Sequence, residues 1–97
     1  MPTYIVLANF TQQGIENIKD SPTRLDAVKQ AAQRTGGEIK AFYLTMGRYD
    51  MVIVAEATSE EALAKVLLAT GAQGSVRTET LGAFTEAEYR KLIAELP

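Results

Sequence analysis

The residues best suited to chemistry lie between two apolar runs, where segment 47–50 reads Gly-Arg-Tyr-Asp. Its phenol and carboxylate can fix a small polar ligand, and Arg48 can hold a carboxylate or a phosphate. The same residues can instead shape a hairpin turn: Gly47 takes a positive φ, Asp50 bonds to backbone N–H groups, and Tyr49 covers adjoining apolar surface. Gly and Asp usually have this structural role in hairpins, so we favour the turn and keep the ligand site as the alternative.

A second polar set consists of Thr11, Gln12 and Gln13, which follow the first apolar run, together with Glu56 and Arg77. We predict that these side chains meet at one end of a sheet, opposite the 47–50 turn. Amides, an acid and a guanidinium there can bind a polar ligand. The alternative, which we favour, is an ion pair with hydrogen bonds that fasten the loop.

An enzymatic alternative begins at Pro2. If Met1 is removed, the proline amine can act as a general base, as in enzymes similar to tautomerases, while Arg48 or Arg77 polarises a carbonyl. A retained Met1 makes the same nitrogen an unreactive amide. We therefore name no catalytic residue.

The amino-acid composition disfavours several kinds of site and partner. The 97 residues include no histidine and no cysteine, which removes the commonest general base, metal ligands and haem ligand, so we expect no metal and no cofactor. Ten basic and twelve acidic residues are spread along the chain, and this distribution does not favour nucleic acid as a partner. No apolar run approaches the roughly 20 residues that cross a bilayer, so we expect no membrane partner. The absence of cysteine fits a reducing setting, so we expect a cytoplasmic protein.

The apolar periodicity predicts four strands and three main helices along one domain of residues 1–97. Helix entries are indicated by Ser21-Pro22, by Thr58 or Ser59, and by the capping box at 85–88. Glycines at 36–37, and at 71 and 74, mark the ends of the first two main helices. The predicted strands are Thr3–Phe10, Ile39–Met46, Met51–Ala57 and Ser75–Ala83.

This order is the ferredoxin-like βαββαβ arrangement with an added C-terminal helix, an α+β fold with an antiparallel sheet. Right-handed crossovers predict the strand order four, one, three, two. Lys40 in strand two, and Arg77 with Glu79 in strand four, are typical of sheet edges. We predict that the 47–50 turn lies beside Pro2, Thr3 and Gly82.

The strands are apolar on both faces, although helices cover only one face of such a sheet. Tyr4, Val6 and Ala8 alternate with Ile5 and Leu7, and the middle strands show the same pattern. An exposed apolar face of that size favours self-association, so we predict a homodimer or a higher multiple in which two sheets form a dimeric α+β barrel. Tyr43 and Tyr4 are candidates to line its lumen, with core packing as the alternative.

Three segments, 10–24, 36–57 and 76–85, carry a resemblance that runs along the whole chain. They read "FTQQGIENIKDSPTR", "GGEIKAFYLTMGRYDMVIVAEA" and "VRTETLGAFT", and the chain resembles the GYD-domain family, small stand-alone bacterial proteins named for a Gly-Tyr-Asp signature. The resemblance implies a dimeric α+β barrel and assigns no activity. A similar turn occurs in effector domains resembling those of leucine-responsive regulators, which share the barrel and bind amino acids between subunits.

We therefore expect a non-catalytic oligomer that binds a small polar ligand or a protein partner. The alternatives are a cofactor-independent enzyme of the dimeric-barrel type, similar to monooxygenases or tautomerases, and a purely structural assembly subunit. The candidate ligand-binding residues are Arg48, Tyr49, Asp50, Tyr43, Thr11, Gln12 and Arg77, with Gly47 as a structural turn residue.

Overall fold

The computed structural model describes residues 1–97 and has four antiparallel strands and four α-helices in ferredoxin-like order. A 3-10 turn at Ile18–Asp20 links the first two helices. The strands are β1 (Thr3–Phe10), β2 (Glu38–Leu44), β3 (Met51–Glu56) and β4 (Val76–Ala83). The helices are α1 (Gln12–Glu16), α2 (Ser21–Arg34), α3 (Glu60–Ala72) and α4 (Glu86–Ala94).

Two of the predicted helix entries are confirmed by cap geometry. Ser59 accepts a hydrogen bond from the Ala62 N–H at 3.1 Å, and Thr85 forms a full capping box with Glu88. The prediction for α2 was wrong by one residue, because Ser21 already lies inside the helix and Asp20 occupies the cap position without a side-chain bond. The helix therefore begins with proline in its first turn and no side-chain cap.

The strand order is β2-β3-β1-β4, as predicted. In the register, Ala8 near the end of β1 pairs with Met51 at the start of β3, and Thr3 pairs with Glu56. The β2–β3 hairpin therefore lies beside the end of β1, and the prediction that it lies beside Pro2, Thr3 and Gly82 was wrong. The reason is strand direction: β3 runs antiparallel to β1, so its first residue meets β1's last ones.

One face of the sheet, hereafter the covered face, packs against α2 and α3. Val6, Ala8 and Met51 belong to it and are almost fully buried. Leu25, Val28, Leu63 and Val66 line the helical side of the same apolar interior. The covered face is the hydrophobic core of the chain.

The other face, hereafter the open face, carries no helix. Pairing in register places Ile5 between Val54 and Leu81, and Leu7 between Val52 and Glu79. Its apolar residues are half-buried or exposed in the single chain, and Leu81 is 44% exposed. The open face consists of Ile5, Leu7, Val52, Val54, Ala41, Tyr43 and Leu81, with a polar end at Asn9, Arg77 and Glu79.

Helix α4 projects from the rest of the chain. No other element packs extensively against it, and every residue from 84 to 97 is exposed. The longest dimension is 53 Å and the radius of gyration is 14.6 Å, against about 12.5 Å for a compact chain of this length. The projecting helix keeps its apolar stripe, Tyr89, Leu92, Ile93 and Leu96, in solvent. None of the helices has the length and apolar character that crossing a bilayer requires.

Candidate functional site

The 47–50 segment forms the tip of the β2–β3 hairpin, and its own hydrogen bonds close it. The Thr45 N–H donates to the Asp50 carbonyl at 2.8 Å, and the Thr45 hydroxyl donates to the Tyr49 carbonyl at 2.6 Å. Gly47 has φ +122° with open space where a Cβ would lie, so the position favours glycine for its backbone angle and not for lack of room. Gly47 therefore has the positive φ that the predicted hairpin turn requires.

Asp50 fastens the hairpin to β1. Its Oδ2 accepts from the Phe10 N–H at 3.0 Å, and its own N–H donates to the Ala8 carbonyl and to Asn9 Oδ1, both at 3.0 Å. Phe10 lies beyond the last β1–β3 pair, so its N–H lacks a strand partner on that side and the carboxylate supplies one. The carboxylate bond reaches β1 rather than staying within the turn.

Tyr49 crosses the end of the open face to reach β4. Its hydroxyl donates to Glu79 Oε1 at 2.9 Å, and this bond raises the pKa of Tyr49 above its usual 10.0. Desolvation and the charge of Glu79 raise the pKa further, while nearby Arg48 lowers it in part. Tyr49 therefore stays a neutral hydrogen-bond donor at physiological pH, which is unsuited to a base or nucleophile.

The two candidate arginines lie at this same end of the sheet. Arg48 is exposed on the hairpin tip, and Arg77 is exposed on β4 opposite Asn9. Neither takes part in an ion pair within the chain. They are the candidate residues that remain free to meet an anionic group.

The second predicted set is divided between the two ends of the sheet. Thr11 caps α1 by accepting from the Gly14 N–H at 3.2 Å and donates to the Gly74 carbonyl, so it lies at the hairpin end. Gln12 bonds to Glu16 on its own helix at 3.1 Å. Glu56 lies at the far end, paired in register with Thr3, so the prediction that it meets Thr11 and Arg77 was wrong.

Gln13 and Glu56 have other partners. The Gln13 side-chain amide donates to the Gln73 carbonyl at 3.0 Å, which holds α1 against the end of α3. Glu56 lies 3.9 Å from the Lys40 ammonium. The loop is thus fastened by hydrogen bonds, as expected, but without the ion pair.

The two tyrosines predicted for a lumen lie on opposite faces. Tyr43 pairs with Val52 on the open face and is 60% exposed. Tyr4 shares the covered face with Val6 and is only 8% exposed. Tyr4 is therefore a core residue, and Tyr43 is the one that an apposed sheet would cover.

The tautomerase-like arrangement does not form within one chain. Pro2 precedes Thr3 at one end of β1, whereas Arg77 pairs with Asn9 six residues further on, about 20 Å away at ~3.3 Å per residue. Arg48 lies on the hairpin at that same distant end. No group of three or more acidic, histidine or cysteine side chains gathers in the chain to hold a metal ion.

Sequence reasoning missed two residues of this site, Asn9 and Glu79. Asn9 follows the last β1 residue paired with β3, and Glu79 was interpreted only as an edge charge. The antiparallel register would have placed Asn9 beside Asp50. Nothing in the sequence pattern indicates that Tyr49 spans β1 to reach Glu79.

The sequence is similar to that of known proteins along almost its whole length. The GYD domain family matches residues 4–93. A Thermus thermophilus protein called glutamine synthetase and cystathionine beta-lyase binding protein is 39% identical over 97 residues, which is 99% of either chain.

Solved structures support the fold. A feast or famine regulatory protein of M. tuberculosis, complexed with L-methionine, superposes with a TM-score of 0.66 at 18% identity. The match covers 88% of this chain and about half, 51%, of that one. A solved Thermus thermophilus structure gives a TM-score of 0.54 at 26% identity, covering 88% of this chain and 95% of that one. The match over nearly all of the sequence, with the hairpin built by Gly47, Tyr49 and Asp50, shows that the chain belongs to the GYD-domain family.

Proposed function

We propose that the protein is a non-catalytic, self-associating binding protein whose oligomer binds a partner enzyme. The open face is the observation that carries this proposal. Ile5, Leu7, Val52 and Val54 form a continuous apolar surface on the two central strands, and nothing in the chain covers it. A second copy offers the same surface, and pairing the two faces is the simplest closed arrangement, a dimeric α+β barrel.

Helix α4 supports self-association independently. Its apolar residues Tyr89, Leu92 and Ile93 recur at i, i+3 and i+4, which is the pattern of a helix that packs on one side, and Leu96 continues this spacing just beyond the helix end. A nine-residue helix without tertiary packing is marginal in water, so its stability requires a surface to pack on. We propose that a partner copy supplies this surface.

The partner is proposed from the relative. The protein that is 39% identical over the full length is named for binding glutamine synthetase and cystathionine beta-lyase. We propose that this chain binds an enzyme of the same kind, as one GYD-type unit of residues 1–97 in the cytoplasm. The exposed side chains at and just before the hairpin tip that remain free for a partner are Leu44, Met46 and Arg48, and Met46 is 98% exposed.

The test uses immobilised wild-type protein and the purified glutamine synthetase and cystathionine beta-lyase encoded in the same genome. We expect saturable binding of at least one enzyme, with a dissociation constant of about a micromolar or tighter. The variant Met46→Glu should weaken binding at least tenfold, whereas Gln30→Glu, on the exposed side of α2, should not. Absence of binding by both enzymes contradicts the proposed partner class.

A second candidate is a small anionic ligand at the hairpin end. The observation in its favour is that Arg48 and Arg77 are exposed there without ion-pair partners, beside the bonded pair of Tyr49 and Glu79. Tyr49 and Asp50 already use their polar atoms within the chain, so the arginines carry this alternative. A thermal-shift screen of amino acids and phosphates tests it, and we expect Arg48→Gln to remove any stabilisation found.

A further inference from the structure

The covered face lines a partly open apolar cavity of about 100 Å³ between the sheet and helices α2 and α3. Its walls include Val6, Val28, Ile53 and Leu63, and most of the lining residues are hydrophobic. This volume has room for several water molecules or for one small organic molecule. This cavity lies on the opposite side of the sheet from the open face and is independent of the proposed partner surface.

One cation lines this cavity without a counter-ion. Arg24 donates from Nη1 to the Asn17 carbonyl at 3.2 Å, but its Nη2 is buried and has no hydrogen-bond partner. Nη2 is the one side-chain nitrogen or oxygen of the chain that is buried in this way. Leaving a charged donor unpaired away from water is costly, so such groups normally have a partner.

The carboxylates of the chain do not supply that partner. Arg24 takes part in none of the ion pairs. Glu56 is the acidic residue among those that line the cavity, and its ion-pair partner is Lys40. Arg24 is only half-buried, so an acceptor for Nη2 can come from outside the chain, as water or as a ligand.

The local backbone also favours an anion. Ser21 and Arg24 both lie in the first turn of α2 and both line the cavity. No side chain caps this turn, but the Ser21 N–H already donates to the Ile18 carbonyl and Pro22 has no N–H, so it is the positive end of the helix dipole that adds to the guanidinium charge. An acceptor held here would serve the orphaned Nη2 and the helix terminus together.

We propose that this cavity is a binding site for a short-chain aliphatic carboxylate. Its carboxylate accepts from Arg24 Nη2 at the start of α2, and its branched or linear hydrocarbon tail fills the apolar space between Val28 and Leu63. The polar group fixes orientation and the apolar walls select the tail, which is the usual division of labour in a small-molecule site.

The test is isothermal titration of the whole protein with propionate, isobutyrate, isovalerate and hexanoate, and with isoamyl alcohol as the neutral analogue of isovalerate. We expect one of the branched carboxylates to bind best. The alcohol should bind about ten- to hundredfold more weakly, because it cannot form the charge-assisted bond. Arg24→Met should remove this preference, and the matched control Arg34→Met, exposed near the end of the same helix, should retain it.

A second measurement needs no variant. Isovalerate labelled with carbon-13 in its methyl groups should show nuclear Overhauser contacts to the methyl groups of Val28 and Leu63 in the wild-type protein. Contacts to open-face residues instead, equal binding of alcohol and carboxylate, or no binding by any of the four carboxylates would each overturn the proposal. Failure here leaves the enzyme-binding proposal untouched, since that proposal rests on the other face.

Discussion

The two faces of the sheet have nearly the same chemistry and opposite surroundings. On the central strands, Val6 of the covered face and Val54 of the open face are the same residue type in neighbouring strands, yet Val6 is 4% exposed and Val54 remains half-buried in the single chain. Helices α2 and α3 shield the covered face from water. The difference shows that a strand with apolar residues on both faces needs two coverings, and that the chain itself supplies the covering of one face only.

Truncating Val6 and Val54 separately tests the difference between the two faces with the largest expected effect. Val6→Ala should lower the free energy of unfolding by about 2–3 kcal/mol, since it removes buried methyl groups and enlarges a cavity. Val54→Ala should cost a similar amount if a second copy covers the open face. The loss at Val54 should then grow on dilution, because association contributes to the measured stability.

Chemical denaturation of both variants at two protein concentrations checks this expectation. The control is Ala27→Gly on the exposed side of α2, whose cost should be about 1 kcal/mol from helix propensity alone and the same at both concentrations. A concentration-independent loss well below about 1 kcal/mol for Val54→Ala would show that the open face meets only water.

The hydrogen bonds at the hairpin end give a second test, because they fix the hairpin tip at an end of the sheet that both faces share. Asp50→Ala should lower the free energy of unfolding by about 1–2 kcal/mol, since it leaves the Phe10 N–H without its charged acceptor. Asp50→Asn, which keeps an acceptor oxygen, should recover part of this loss. Equal stability of Asp50→Ala and the wild type in urea denaturation would contradict the anchoring role.

Tyr49→Phe should lower the free energy of unfolding by less than Asp50→Ala does, because the bond to Glu79 is exposed to water. Its raised pKa gives a pH signature: the bond contributes fully below the ordinary pKa of 10.0 and is lost as pH rises through the higher folded value. The stability difference between wild type and Tyr49→Phe should therefore disappear in strongly alkaline solution. Equal stability of wild type and Tyr49→Phe at neutral pH would mean that the ring, not the hydroxyl, stabilises the hairpin, and a difference that persists in alkaline solution would contradict the role of the neutral phenol as donor to Glu79.

The smallest expected effect concerns α4. The Thr85 N–H and hydroxyl lower the pKa of Glu88 below its ordinary 4.5. A depressed pKa means that the carboxylate stabilises the helix above pH 4.5 and that this contribution is lost as pH falls through the folded value. Glu88→Gln should thus reduce α4 helicity at neutral pH and leave a flatter acid profile, as measured by backbone chemical shifts of residues 86–94.

More of the fold than of the candidate site could be predicted from the sequence, and the reasons are physical. Apolar alternation and the caps at Ser59 and Thr85 are local signals, and they predicted β1, β3 and α4 to within a residue or two. The predicted location of the hairpin was wrong, although strand direction alone would have placed it beside Phe10. Strand order alone does not place the hairpin, because the end of β1 that it meets follows from the direction of each strand.

The hydrogen-bond partners of the side chains could not be predicted from the sequence. The bond from Tyr49 to Glu79 depends on how far the turn carries a ring across β1, and the unpaired Nη2 of Arg24 depends on burial at the start of α2. Neither leaves a periodic trace in the sequence. Both became visible only when the elements were positioned in space.

Self-association through the open face is the central claim, and the mass of the protein in solution tests it most directly. The chain weighs 10.6 kDa. Light scattering during size-exclusion chromatography at micromolar concentration should give twice this mass or a multiple of it for the wild type and for the control Ala94→Glu on the polar side of α4. Leu7→Glu, in the middle of the open face, should fall toward 10.6 kDa while staying folded. A wild-type mass of 10.6 kDa under these conditions would contradict the account.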